Sequence, residues 1–271
     1  MYSVFLHMLI LDGEKVAAVR LKKLKAVVAR VKRPPHLAIV LAGTNEGSEA
    51  YVRQKQRVGK QVGIAVSLHR DPHPTTERIA RLVRRLGRDQ AVDGIIVQLP
   101  LPKGIATDEI LLDVAKAKDV DGLVPGSPFI PPTPAGILAL LDGYRIPVAG
   151  KHVVLWGRGE LVGKPLGMLL MERGAWVTFI HRDTPNPEQV SRKGDILVSA
   201  TGVTRLIRAS MVKKGAVVID VGWGREAGRI VGEVDFGPVS KKADAMSPVP
   251  GGVGPMTVVM LIENVVYAAR R

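Results

Sequence analysis

The sequence predicts an α/β protein built on mostly parallel sheets. Short apolar runs bounded by turn residues recur along the chain, and amphipathic segments separate them. The runs are continuously apolar rather than alternating, as strands covered on both faces are. Of the 271 residues 46% are hydrophobic but only 4% aromatic, so aliphatic side chains must carry the packing. Such a length fits about two domains.

The elements follow in order. Residues 15–31 place lysine and arginine on one side and Ala, Val and Leu on the other, which predicts a helix ended by Pro34 and Pro35. Residues 36–41 (HLAIVL) read as a buried strand. A turn-rich loop at 43–48 leads to a helix ending near Gln61. A strand at 63–68, a helix at 75–86 and a strand at 92–97 complete the first half. Residues 124–134 (VPGSPFIPPTP) hold too much Gly and Pro for a long regular element, and the domain junction falls there. A helix at 135–141 opens the second half. Strands are then expected at 152–156, 176–180, 196–199 and 217–221, with helices at 162–172 and 255–269.

Composition excludes several classes. With no cysteine, disulfides, thiolate metal sites and cysteine nucleophiles are impossible, which fits a reducing compartment. The apolar stretch at 4–11 is too short to span a bilayer and lacks a leader's features. A soluble, cytoplasmic protein without a membrane partner is expected. Lys and Arg number 39 against 25 Asp and Glu, a net charge of +14 that invites a nucleic-acid reading. Aromatic residues do not interleave with the basic ones, which are spread over helices, so no nucleic-acid partner is expected. A basic nucleic-acid-binding α/β protein is the non-enzymatic alternative. Histidine spacing suggests no metal site.

The second half carries a ligand signature. After the strand HVVLW comes GRGELVGKP, with Gly157, Gly159 and Gly163 in a G-x-G-x-x-x-G pattern ahead of an apolar helix. Glycines there allow a tight turn and close backbone approach to a pyrophosphate, and the N-terminus of the helix at 162–172, whose first turn includes Lys164 and Pro165, offers amides to phosphate. A ligand-free tight turn is the plainer alternative. The next strand ends at His181-Arg182-Asp183-Thr184. Arg158 and Arg182 suit a 2'-phosphate, and hence NADP, whereas Asp183 suits the ribose hydroxyls of NAD. NADP is favoured and NAD stays open. The SATG segment containing Thr201 and the DVG segment at 220–222 also follow buried strands, where parallel sheets bind ligands.

The first half carries a chemistry signature. Tyr51 and Lys55 lie four apart and share a helix face. A partly buried lysine can move a proton, and tyrosine can stack or donate, though the spacing equally describes an ordinary amphipathic helix. Gln98 follows the strand DGIIV and offers a donor and an acceptor. In Lys118-Asp119-Val120-Asp121-Gly122, one carboxylate can bind the N–H groups of a polar heterocycle, or both can cap turns.

Taken together, YVRQKQRVGKQVGI (51–64), DGIIVQLPLP (93–102), KDVDG (118–122), PPTPAG (131–136), GRGELVGKP (157–165), GDILVSATG (194–202), DVG (220–222), GEVDF (232–236) and SPVPGGVGPMT (247–257) resemble the bifunctional methylenetetrahydrofolate dehydrogenase/methenyltetrahydrofolate cyclohydrolase family. The resemblance spans nearly the whole chain. It implies two α/β domains with an interdomain cleft, the second a Rossmann-like NAD(P)-binding domain. Residues 1–123, completed by the C-terminal helix 254–271, would form the folate-binding catalytic domain, and 136–250 the dinucleotide domain. It implies oxidation of 5,10-methylenetetrahydrofolate to the 5,10-methenyl form with NADP, then hydrolysis to 10-formyltetrahydrofolate. A monofunctional or NAD-preferring dehydrogenase is the enzymatic alternative.

By that resemblance Lys55 is the catalytic lysine, Gln98 assists it, Tyr51 stacks on the substrate and Asp121 holds the pterin ring. Pro250, Gly251 and Gly252 line the folate site. The cofactor set is Gly157, Arg158, Gly159, Gly163, Lys164, Pro165, His181, Arg182 and Thr201, with no metal. Partners would be tetrahydrofolate one-carbon derivatives and a second copy in a homodimer. The chain departs from the family pattern at Gly159, usually serine, at 42–48 (AGTNEGS), at Pro132, usually cysteine, and at 181–184.

Overall fold

Parallel pairing dominates because each apolar run is followed by a helix that returns the chain to the same end of its sheet. The computed structural model describes residues 8–226 and 228–271, so residues 4–7 of the N-terminal apolar stretch lie outside it. In chain order the elements are β1 (Leu9–Ile10), α1 (Gly13–Val28), β2 (His36–Ala42), α2 (Glu46–Val62), β3 (Ala65–Asp71), α3 (Thr76–Arg88), β4 (Gly94–Val97) and α4 (Thr107–Leu112). Then come α5 (Pro132–Gly143), β5 (His152–Trp156), α6 (Gly163–Glu172), β6 (Trp176–Ile180), α7 (Pro187–Ser191) and β7 (Ile196–Ser199). The chain finishes with β8 (Val217–Asp220), β9 (Gly224–Glu226), β10 (Arg229–Val231), α8 (Phe236–Ser240), β11 (Ala245–Met246) and α9 (Val253–Ala268).

Two compact units result, Ala18–Pro132 with Val258–Arg271 as the first and Met1–Ala17 with Thr133–Thr257 as the second. The expected assignment of the whole N-terminus to the first domain differs at its start. Leu9 and Ile10 pair in parallel with Ala245 and Met246, adding an edge strand to the second unit's sheet. Two residues of strand carry too little pattern to be read from sequence.

The first unit holds a three-stranded parallel sheet in the order β3-β2-β4. Successive β2 side chains point to opposite faces. Leu37, Ile39 and Leu41 enter one core with Val52, Val58 and Val62 of α2 and Leu261, Ile262 and Val265 of α9. Ala38, Val40 and Ala42 enter the other with Ile79, Val83 and Leu86 of α3 and Ile110 of α4. Burying each larger aliphatic side chain contributes about 1.5–3 kcal/mol. Asn45 caps α2 by accepting from the Ser48 amide at 2.9 Å. Gly63 ends α2 in the left-handed region at φ 95°, which is why β3 begins at Ala65 rather than at residue 63.

The second unit holds a six-stranded parallel sheet in the order β1-β11-β8-β7-β5-β6. Val154, Leu197, Val218 and Met246 line one face with Ile207, Val212 and Val239. Strands β5, β6 and β7 coincide with the runs at 152–156, 176–180 and 196–199. The antiparallel pair β9–β10 and the short helices α4, α7 and α8 were not expected. Each has six residues or fewer, too few to show a period. Among the described residues no helix is long and apolar enough to cross a membrane.

Candidate active site and cofactor site

In the first unit, α2 turns Val52, Val58 and Val62 into the core and carries Lys55 inward with them, leaving it 9% exposed. Its Nζ donates to Gln98 Oε1 at 2.7 Å. Gln98 continues β4 through its amide bond to the Val40 carbonyl at 2.9 Å. Its own Nε2 donates to the Leu99 carbonyl at 2.8 Å, which orients the side-chain oxygen toward the lysine. Burial lowers the Lys55 pKa from the ordinary lysine value, and the negative charge of Asp121 partly opposes this. Burial likewise raises the Asp121 pKa, Lys55 pulling it down and Asp119 pushing it up. A lysine that holds its proton less tightly than an exposed one can exchange it with a bound ligand.

The turn at 118–122 separates the roles of its two aspartates. Asp119, 2% exposed, accepts the Val124 amide at 2.8 Å and pins the loop. Gly122 lies at φ +66°, and a Cβ there would stand 2.6 Å from the Phe129 carbonyl oxygen. The turn so fixed leaves Asp121 partly accessible and electrostatically coupled to Lys55. Tyr51 is half-buried one helical turn before Lys55. Ser48 Oγ, one turn earlier still, is buried with no hydrogen-bond partner among the described residues. That polar group is available to a ligand.

In the second unit the glycine turn has steric causes. Gly157 sits at φ +102°, and a Cβ there would meet the Ala200 oxygen at 2.2 Å. A Cβ on Gly163 would lie 2.3 Å from the Gly157 oxygen. Gly159 is different: nothing stands within 4 Å of its Cβ position. The tight turn read for all three glycines therefore has a steric cause at two, and a serine fits at the third. Sequence reasoning passed over Gly167, whose Cβ would strike the Phe179 ring at 2.3 Å. No side chain caps the N-terminus of α6, where Gly163, Lys164 and Pro165 form the first turn. Lys164 pairs with Glu160 across that turn. The Lys164 amide already donates to the Gly159 carbonyl at 3.0 Å and Pro165 has no N–H, so the glycine turn after a parallel strand is the part that fits a dinucleotide phosphate.

Trp156 and Ile180 are register partners at the ends of β5 and β6. Arg158 and Arg182 each follow two residues later, and both are exposed. His181 donates its amide to Thr184 Oγ1 at 3.0 Å, and Asp183 lies 3.5 Å from the His181 ring. Among the described residues no three His, Asp or Glu side chains gather as metal ligands do.

Thr201 is committed to another residue. Its amide and hydroxyl both donate to the carboxylate of Glu233, which sequence reasoning left without a role. Asp220, at the end of β8, accepts the Glu233 and Val234 amides at 3.0 and 2.9 Å. Burial raises its pKa to about 7, with the neighbouring Glu233 charge adding to the rise. The GEVDF segment was the available signal, but only folding shows what its glutamate touches. In the 250–252 segment Gly251 lies at φ +100° and its carbonyl accepts the Gly13 amide at 2.8 Å. A Cβ on Gly252 would come within 2.5 Å of the Pro248 oxygen. These glycines thus tie the N-terminal segment to the start of α9.

A parallel sheet with a glycine turn and an uncapped helix at its carboxyl end places the chain among the α/β enzymes that carry a Rossmann-like dinucleotide domain. Residues 11–121 match the tetrahydrofolate dehydrogenase/cyclohydrolase catalytic domain, and residues 131–271 match the NAD(P)-binding domain of the same family. The chain belongs to the tetrahydrofolate dehydrogenase/cyclohydrolase family. It is 44% identical to the bifunctional protein FolD of Exiguobacterium sibiricum, covering 96% of this chain and 99% of that one. The crystal structure of the bifunctional FolD methylenetetrahydrofolate dehydrogenase/cyclohydrolase from Campylobacter jejuni superposes with a TM-score of 0.94 at 39% identity, covering 97% of this chain and 99% of that one. The Trypanosoma brucei enzyme, solved with NADP and an inhibitor, gives 0.92 at 35% identity over 97% of this chain and 98% of that one.

Proposed function

We propose that the chain oxidises 5,10-methylenetetrahydrofolate to the 5,10-methenyl form with NADP and hydrolyses that product to 10-formyltetrahydrofolate. The observation that carries the chemistry is the buried Lys55 bonded to Gln98 and coupled to Asp121. When bound, the nicotinamide supplies the hydride acceptor of the first step. The glycine turn at the start of α6 holds its phosphates, and Arg158 and Arg182 take the 2'-phosphate, which favours NADP over NAD. His181 shapes the loop that carries Arg182.

In the second step water adds to the methenyl carbon and a C–N bond opens. Both water protons leave as the formyl C=O forms: one reaches the departing nitrogen, and the other passes to solvent with the charge of the methenyl cation. Neutral Lys55 Nζ takes a proton from the water and, as the ammonium, delivers it to that nitrogen. Gln98 Oε1 keeps the amine aimed, Asp121 accepts N–H groups of the pterin ring and Tyr51 stacks on it. Pro250, Gly251 and Gly252 line the folate site.

The chain acts as a cytoplasmic homodimer paired through the second unit. Strand β6 forms one edge of its sheet, and Trp176 there is 75% exposed. A coupled assay with methylenetetrahydrofolate, run with NADP and NAD in parallel, tests both activities. Methenyl absorbance should rise faster with NADP and then decay enzymatically. Rise without enzymatic decay would leave a monofunctional dehydrogenase, and faster turnover with NAD would overturn the cofactor preference.

A further inference from the structure

We propose that Glu233 is a positioning residue for the cofactor site, its buried carboxylate fixing the loop at 199–202. The inference rests on the reading above that this loop belongs to the dinucleotide site. Glu233 is 1% exposed. Its two oxygens accept from the Thr201 amide at 2.9 and 2.8 Å, from Thr201 Oγ1 at 2.8 Å and from the Gly202 amide at 2.5 Å. Ser199 Oγ donates to it as well. These donors lie on the last residue of β7 and on the turn that follows it, at the carboxyl end where a parallel sheet receives its ligand. Ser199, Thr201 and Gly202 have therefore given these donors to one internal acceptor, the Ala200 amide donates to the Trp156 carbonyl at 2.8 Å, and the loop's backbone is held before any ligand arrives.

The neighbouring backbone is built to admit that carboxylate. A Cβ on Gly222 would stand 2.0 Å from Glu233 Oε1, so the DVG turn after β8 closes directly over it. Asp220 holds the main chain at 233 and 234 through its two amide bonds. A Cβ on Gly232 would stand 1.9 Å from Asp220 Oδ2. The Asp220 amide in turn donates to Ser247 Oγ at 2.8 Å. Glu233 is thus held by its own backbone while its side chain holds another loop. Pre-organisation of this kind raises affinity by removing an ordering cost from the binding step.

The donor pattern makes Glu233→Gln a sharp test. Glutamine has nearly the same shape, but its amide nitrogen would face N–H groups that need an acceptor. The Kd for NADP, read by calorimetric titration of the full-length protein, should rise about tenfold. The KM for NADP should rise in step, with a smaller fall in kcat. Hydrolysis of supplied methenyltetrahydrofolate, with no dinucleotide present, should stay within about twofold of the unaltered chain, since Lys55, Gln98 and Asp121, which carry that step, lie in the other unit. Glu233→Asp keeps an acceptor-only group and should recover part of the affinity.

Unchanged NADP affinity in Glu233→Gln would overturn the proposal while leaving the cofactor reading intact. Failure of the unaltered chain to bind either NADP or NAD would overturn both. If Glu233→Gln does not fold, Glu233→Asp decides: a raised KM for NADP with hydrolysis retained supports the role, and equal loss of both activities overturns it.

Discussion

Strands β2 and β5, one in each unit, begin with the same hydrogen-bonded clamp, yet the sheets that hold them lead to opposite chemistries. In the first unit the His36 amide donates to Asp93 Oδ2 at 2.8 Å, and the ring pairs with the Ala91 carbonyl and Ser67 Oγ. In the second the His152 amide donates to Asp195 Oδ2 at 3.0 Å, and the ring pairs with the Lys193 carbonyl and Thr178 Oγ1. Ser67 and Thr178 occupy the same register position, opposite the residue two beyond each histidine. A cation closes each clamp, Arg33 on Asp93 and Lys213 on Asp195, both at 2.6 Å. The Lys213 bond, with the His152 amide, draws the Asp195 pKa below the usual carboxylate range. Little beyond the leading histidine and the aspartate is shared, so the sequence shows no repeat.

At the other ends the two sheets part. In the first unit β4 leads to Gln98 and a buried lysine, which makes one hydrogen bond among the described residues. In the second β7 leads to Ser199 and a buried carboxylate that receives donors from three residues. A buried charged group with spare hydrogen-bonding capacity is destabilised in its charged form and can trade protons. One whose lone pairs are filled holds backbone in place. Burial alone therefore does not distinguish a reacting group from a scaffold; the filling of its hydrogen-bonding capacity does.

Four experiments test that contrast, the largest effect first. Lys55→Met should lower methenyl hydrolysis by about 1,000-fold or more, the scale of a lost acid–base group, with NADP affinity kept. Near-normal hydrolysis would break the contrast outright. Asp121→Asn should lower kcat/KM for both reactions by about tenfold to a hundredfold, the cost of a charged hydrogen bond and its orientation. It should also move the acid limb of the hydrolysis profile. Asp121 raises the Lys55 pKa. Its removal lets Lys55 lose its proton at lower pH, so activity present above that pKa extends further toward acid. A shift toward higher pH would contradict the coupling.

Arg158→Ala should weaken NADP by about tenfold, one charge-assisted phosphate contact, and NAD by much less. Equal losses would refute the 2'-phosphate assignment. The smallest effects belong to the clamps. His36→Ala and His152→Ala should each cost about 1–2 kcal/mol of stability by urea unfolding, with both activities retained. A large activity loss in only one would show that the two clamps are not equivalent.

Much of the sheet framework was legible because buried parallel strands leave continuous apolar runs. HVVLW and WVTFI needed no context to be read. Strand β11 has two residues and the β9–β10 pair three each, and these depend on partners distant in sequence. Within the candidate site, Lys55 was legible as a helix-face residue, and Gly157 and Gly163 as turn glycines. Gly159 was read as their equal, yet it has open space around it. Glu233 went unread because its donors lie 31 to 34 residues away.

By itself the sequence determined the α/β class, the order of the main strands and helices, the glycine turn and the family. These are local patterns, set by periodicity, backbone stereochemistry and motif order. Tertiary structure decided which of two aspartates pins a turn and which is electrostatically coupled to Lys55. It also decided that Leu9–Ile10 joins the second sheet and that Glu233 holds the loop at 199–202. The proton affinity of a lysine and the role of a carboxylate depend on neighbours and burial, and those exist only once distant segments have packed.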